Sequence, residues 1–164
     1  RNPIDRAYSL YNWMVCNGYE PLESFESALE TEKLNRYGNE TFKHYNPEYY
    51  YNYLYFHSGL YSEQIKRYFD NYKREQLCFL IFEEFKADTK SEIGKVYRFL
   101  NIDDKFLPNL KIHNEGSIPY SAQLQFYIRQ KLSQYLRPPY GHPHPLKNEV
   151  VARLMKLNTK PDKP

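Results

Sequence analysis

Cysteine is scarce: Cys16 and Cys78 are the only two in 164 residues. Two thiols in separate predicted elements form neither a disulfide framework nor a metal-ligand spacing. Cys78 sits within an apolar run and is expected as a small core residue. Charge of one sign is also missing. Lysine and arginine number 23 against 20 acidic residues, a net charge of +3. That balance argues against a nucleic-acid surface but is compatible with a local pocket for an anionic cofactor. No apolar run is long enough to cross a bilayer, and no signal peptide is visible. No internal repeat stands out, and the length suits one domain with one core. The chain opens on Arg1 without a methionine and closes on Lys160-Pro161-Asp162-Lys163-Pro164. It is therefore expected to be an internal piece of a longer protein, with residues 1–164 a single partial domain truncated at both ends. Tyrosine, by contrast, is abundant, with 18 residues. Such rings suit a sugar-binding surface, but many fall at core positions, so the count alone decides nothing.

The organising stretch is Arg1-Asn2-Pro3-Ile4-Asp5-Arg6-Ala7-Tyr8-Ser9-Leu10-Tyr11. Asn2 is a strong N-cap, and Pro3 suits the first helical position, where its missing N–H costs nothing. Asp5 can support the exposed amides of the first turn. Arg1 thereby stands just outside a helix N-terminus, where free N–H groups and the dipole favour an anion. At about 100° per residue, Ile4, Tyr8, Tyr11 and Val15 share one face and are expected in the core. Asn2, Arg6, Ser9 and Trp13 fall opposite, as either solvated surface or a ligand face. On local chemistry alone, an ordinary capped amphipathic helix is the commoner arrangement.

Gly18 is expected just past the end of this helix, and Pro21 prevents its continuation. Ser24 caps a second helix from 25 to about 37, with Phe25, Leu29 and Leu34 facing inward. Residues 38–46 read as loop. Asn46-Pro47 starts a short helix through Tyr49, Tyr50, Tyr51, Tyr53 and Tyr55, flanked by His44 and His57. Either histidine could act as a base or bind substrate, although an ordinary surface or core-edge position is favoured. Leu60, Gln64, Ile65, Tyr68 and Phe69 follow helical spacing. The run Leu77-Cys78-Phe79-Leu80-Ile81-Phe82 predicts a strand at about 76–82, buried on both faces. Glu83 and Glu84 follow it, and Asp88 caps a helix holding Ile93, Val96, Tyr97 and Leu100. Helix, buried strand, acidic loop and helix make an α/β arrangement. Residues 103–120 read as loop, including Asn114-Glu115-Gly116-Ser117. Ser121 caps a helix from about 122 to 136, the proline-rich segment 137–145 breaks it, and 146–157 form the last helix. His142 and His144 alternate with proline, but no further ligands accompany them to make a metal site.

Arg-Asn-Pro-x-x-Arg-x-x-Ser-x-Tyr at residues 1–11 resembles the 3′-phosphate-binding motif of sulfotransferases that use 3′-phosphoadenosine-5′-phosphosulfate (PAPS). Ser24-Phe25-Glu26-x-Ala28-Leu29 is similar to a segment that follows that helix in the family. Gly59-x-Tyr61, an amphipathic helix, the run from Leu77, Glu83-Glu84 and a helix ending in Phe99-Leu100 resemble a second family block in the same order. The match is linear over most of residues 1–102. It implies an α/β, P-loop NTPase-like sulfotransferase fold, of which this mostly helical piece holds the later part. It further implies Arg1 and Ser9 as 3′-phosphate ligands, PAPS as co-substrate, its product 3′,5′-adenosine bisphosphate (PAP), and no metal. The chemistry suits the residues: a guanidinium offers a charged donor fork and a serine hydroxyl a short donor. Glu83 and Glu84, which could do acid/base work, resemble a structural pair that caps or braces the next helix. Tyr61 is open between a cleft contact and core packing. The polar loop at 114–117 lacks the basic-glycine signature with which some relatives contact the cofactor.

Sulfuryl transfer needs a base for the nucleophile and stabilisation of the leaving phosphate. No glycine-rich loop of Lys-x-Gly-Thr character occurs in these residues. In the family that loop holds the 5′-phosphosulfate and lies, with the base, in an earlier segment. The catalytic residues are therefore unassigned, and the 164-residue piece is expected to be inactive alone. The acceptor is a hydroxyl or amine, with carbohydrate favoured through Arg-Asn-Pro-x-x-Arg-Ala-Tyr-Ser. Two other classes are weighed: a noncatalytic glycan- or protein-binding module, and a P-loop phosphoryl-transfer enzyme. Oligomeric state is open, and so is compartment, with cytoplasm preferred over a Golgi lumen that would need a targeting segment.

Overall fold

The computed structural model describes residues 1–104, 106, 108–110, 117–132 and 145–161, with only the backbone for 145–148. Helix α1 spans Pro3–Cys16, and the Asn2 side chain accepts from the N–H groups of Ile4 and Asp5. Its far end closes as a Schellman turn: Gly18 N–H reaches the Val15 carbonyl at 2.9 Å and Tyr19 N–H the Met14 carbonyl at 2.9 Å. Gly18 takes φ +68°, the left-handed conformation that this turn requires. The buried face of α1 is Ala7, Tyr11, Met14 and Val15. Ile4 and Tyr8, expected inside, are 73% and 49% exposed. The core begins at Ala7, so Ile4 in the first turn lies beyond it, and Tyr8 sits at its margin with its ring 5.4 Å from that of Phe25.

Helix α2, Phe25–Thr31, is capped by Ser24, which accepts from Ser27 N–H. The expected length to about 37 is reached through a π-helical turn, Glu32–Arg36, closed by Tyr37 N–H to the Glu32 carbonyl at 2.8 Å. That wider turn shifts the helical phase. Glu32 and Arg36 are buried, while Leu34 is exposed. The loop expected at 38–46 contains a short helix α3, Glu40–Tyr45, capped by Asn39. The tyrosine cluster forms a 3₁₀ turn, Tyr50–Tyr53, and a second 3₁₀ turn spans His57–Gly59. Tyr53 and Tyr55 join Ala7, Tyr11, Met14, Val15, Ala28 and Ala122 in one buried cluster, with Phe25, Tyr19 and Tyr49 packed against it. Tyr11, Tyr50, Tyr53 and Tyr55 are thus buried, whereas Tyr8, Tyr37, Tyr45, Tyr51, Tyr68, Tyr72, Tyr120 and Tyr127 are exposed.

Helix α4, Tyr61–Asn71, buries none of its residues. The buried strand expected at about 76–82 is not formed. Leu77 (φ −116°, ψ 121°) and Ile81 (φ −90°, ψ 123°) have extended backbone, but among the described residues the sheet consists of two other strands. Phe79, Leu80, Ile81 and Phe82 are exposed, as is Cys78, expected in the core. A strand exists only beside a neighbouring strand. Among the described residues none lies along this run, and its backbone bonds are local, Leu77 N–H to the Arg74 carbonyl and Phe85 N–H to the Ile81 carbonyl. Helix α5, Phe82–Ala87, and helix α6, Thr89–Phe99, follow; the Asp88 side chain caps α6 by accepting from Ser91 N–H.

The sheet pairs β1, Ser117–Pro119, with β2, Thr159–Pro161, antiparallel, with Ile118 opposite Lys160. Both lie outside the elements expected from sequence, β1 within the expected loop 103–120. Between them come helix α7, Ala122–Tyr127, a π-helical turn Ile128–Leu132, and helix α8, Pro145–Leu157. Ser121 caps α7 as expected. The Gln125 amide donates to the Cys16 carbonyl at 2.7 Å, and Asn158 donates to Gln125 at 3.0 Å. These bonds tie the end of the chain to α1.

Candidate functional site

The start of α1 is built by three segments distant in sequence. Glu83, on the first turn of α5, accepts the Asn2 N–H through Oε1 at 2.7 Å. This backbone hydrogen bond lowers the Glu83 carboxyl below its ordinary pKa. The pair therefore braces as expected, but Glu83 caps α1 rather than the helix that follows it. Glu84 lies 3.6 Å from Lys95 on α6. Phe82 presents its ring to Arg1, whose guanidinium carbon lies 4.8 Å from the ring centroid, a cation–π distance. Arg1 is exposed and stands immediately before the cap, while Ser9 is half-buried two turns further along. Eight residues at ~1.5 Å each put about 12 Å of helix axis between them.

The third segment is the His57–Gly59 turn. Arg6 donates through Nη1 to Ser58 Oγ at 2.9 Å. A Cβ placed on Gly59 would lie 3.7 Å from the Pro3 Cβ and 3.8 Å from Arg6 Nη1, so the turn packs directly on the first helical turn. Glu32 clamps it from behind. Its carboxylate accepts Phe56 N–H at 2.9 Å and His57 N–H at 3.0 Å, and His57 Nδ1 lies 2.7 Å away. The His57 ring stacks on Tyr37 at 3.5 Å between centroids. His57 is thus a structural core-edge histidine, bonded to a buried carboxylate, and His44 is exposed against Tyr45. Tyr61 is half-buried at the first position of α4. Residues 114–116, His142 and His144 lie outside the described residues.

A second polar cluster lies inside the core. Arg36 makes a bidentate pair with Glu20 at 2.6 and 3.0 Å, and Tyr55 donates to the same carboxylate at 2.8 Å. Burial disfavours the Arg36 charge, but its bonds to Glu20 outweigh this and hold the guanidinium above its ordinary pKa. With both charges paired, the cluster has no free group to offer a ligand. A pocket of about 280 Å³ opens between α1 and β1, lined by Tyr8, Asn12, Cys16, Glu23 and Tyr120 among others. Among the described residues, no group of three His, Cys, Asp or Glu could hold a metal ion, and no helix is long and apolar enough to cross a membrane.

The segments that build this site fall within the match to a known family. The model of the sulfotransferase domain matches residues 1–122, from the capped start of α1 to the start of α7. The chain belongs to the sulfotransferase domain family. It is also similar to the crystal structure of a sulfotransferase from Alicyclobacillus acidocaldarius, at 35% sequence identity and a TM-score of 0.57. That similarity covers 70% of this chain and 42% of the bacterial one, so the chain spans less than half the length of its structural relative. No curated protein matches. The fold class is accordingly the α/β sulfotransferase fold, here represented by a mostly helical part with a small antiparallel sheet.

The sequence pointed to Arg1 and Ser9 and to the block that begins at Gly59. It gave no sign that Phe82, Glu83 and Ser58 converge on the start of α1. Those contacts join residues 52 and 81 positions apart, which no local pattern encodes.

Proposed function

We propose that this sulfotransferase-family protein moves a sulfuryl group from PAPS to a hydroxyl or amine acceptor, a carbohydrate first among them. Residues 1–164 supply the half of the nucleotide site that binds the 3′-phosphate, with Arg1 and Ser9 as its ligands. In the reaction a base takes the acceptor's proton, a new bond forms from its oxygen or nitrogen to sulfur, and the bond from sulfur to the 5′-phosphate oxygen breaks, releasing PAP. The base and the groups on the 5′ side lie outside the residues assigned here, so the 164-residue chain alone is expected to bind nucleotide without transferring sulfate.

The observation that carries this reading is the motif's spacing on a helix start capped by Asn2, in a chain whose first 122 residues match the family. The positive end of the helix dipole at that start favours an anion, and Arg1 adds a guanidinium beside it. The test is the Arg1→Ala variant of the complete protein, titrated with PAP and with adenosine 5′-monophosphate (AMP). A charged hydrogen bond contributes about 1.5–3 kcal/mol, so PAP should weaken roughly ten- to hundredfold while AMP, which lacks the 3′-phosphate, hardly changes. Equal weakening of both nucleotides rejects the assignment.

A further inference from the structure

Arg6 is the motif residue to which the proposed site gives no role, and its surroundings are those of a cation without a counter-ion. It is half-buried, and no carboxylate among the described residues forms an ion pair with it. Arg36, the buried arginine among the described residues, is fully paired with Glu20. Arg6 also lies in the first turns of α1, where the positive end of the helix dipole disfavours a cation. Of the nearby carboxylates, Glu83 accepts from the Asn2 N–H, and Asp5, one residue away on the helix, does not share the Arg6 face. Asn2, Arg6 and Ser9, at steps of four and three residues, do share a face.

We propose that Arg6 is a second guanidinium of the 3′-phosphate site, with its fork held in place by Ser58. This rests on the reading of Arg1 and Ser9 as 3′-phosphate ligands. Ser58 Oγ engages Nη1 at 2.9 Å, leaving the remaining N–H donors of the planar fork for phosphate oxygens. The turn that carries Ser58 is fixed by the Glu32 carboxylate on Phe56 and His57, so Arg6 is set before ligand arrives. A dianionic phosphate supplies the counter-charge that the half-buried guanidinium lacks.

The test is a calorimetric titration of the complete protein and its variants with PAP and with AMP. Arg6→Ala should weaken PAP roughly tenfold or more and AMP by less than about twofold. Arg6→Lys keeps the charge without the fork and should lose PAP affinity severalfold; it decides the matter if Arg6→Ala does not fold. Ser58→Ala, which frees the fork, should cost PAP less than either and leave AMP unchanged. If Arg1→Ala weakens PAP but both Arg6 variants bind it within about twofold of the parent, Arg6 is not a ligand, although the reading of Arg1 stands. Equal loss of PAP and AMP in the Arg6 variants also overturns the proposal, since it marks a folding role. If the unaltered protein shows no preference for PAP over AMP, the parent reading fails as well.

Discussion

At the scale of single residues, the polar cluster beneath α2 sets the largest energies. Glu20 and Arg36 are both almost wholly buried, and each satisfies the other. Removing one partner strands the other charge in the core, which costs about 3–5 kcal/mol. Arg36→Ala is therefore expected to lower the urea midpoint sharply, and a change as small as that of an exposed arginine would contradict the pairing. The tyrosines make a second expectation, in pH. Burial pushes Tyr11, Tyr19 and Tyr53 up to about 12, and Tyr55 is raised further by burial and the Glu20 carboxylate beside it. In the unfolded chain tyrosine ionises near 10. Between about pH 10 and about 12 the unfolded state has thus lost protons that the folded state keeps. Stability is full below about pH 10 and falls as pH rises through about 12. Phenolate absorbance should show these rings ionising together with unfolding, and their free titration in an intact fold would refute it. Of these groups, only Tyr11 was placed in the core by its period in the sequence. Glu20 and Arg36 look like surface charges until the chain brings them together, and tyrosine is as much at home on a surface as in a core.

At the scale of elements, ends were legible and faces were not. Asn2, Ser24, Asp88 and Ser121 cap the helices that the sequence assigned to them, because a cap bonds to amides two or three residues away. Gly18 was read the same way, and its neighbours allow a sharp comparison. A Cβ at Gly18 would stand 2.6 Å from the Gln125 carbonyl oxygen and 2.8 Å from the Arg129 Cβ, whereas at Gly38, with φ +71°, it would meet nothing within 4 Å. Gly38→Ala should cost only the left-handed strain, about 1 kcal/mol. Gly18→Ala should cost clearly more, since α7 must also move away from α1. Equal thermal shifts for the two variants would argue against that packing. The inward faces of α1 and α2 were harder to read. Ile4 and Tyr8 have the right period, but Ile4 is exposed and Tyr8 only edges the core against Phe25, and the π turn at Glu32–Arg36 turns Leu34 outward. Periodicity states which residues share a face, not what lies opposite it.

At the scale of the whole molecule, the extended run 77–81 marks the contrast. Its apolar residues have the composition of a buried strand but face water, with Phe79 45% and Ile81 53% exposed. In the 164-residue chain, exposed Cys78 should react with a thiol reagent faster than half-buried Cys16, whose thiol donates to the Ser117 carbonyl. The reverse order would place Cys78 in the core. The chain accounts for 42% of its structural relative, and in a protein carrying the rest of such a domain the run is expected to gain strand partners. Slowed amide exchange at residues 77–81 would report them.

The sequence by itself determined the family, the capped start of α1 that carries Arg1, Arg6 and Ser9, and the ends of four helices. Each depends on residues close together in the chain, whose hydrogen bonds and dihedral preferences act before anything folds around them. Tertiary structure alone decided the rest. It buried Glu20 against Arg36, set Glu83 and Phe82 at the start of α1, and held Ser58 on the guanidinium of Arg6. Among the described residues, it also left 77–81 without a neighbouring strand. These outcomes depend on groups 16 to 81 positions apart, and only the closing of the chain determines which of them meet.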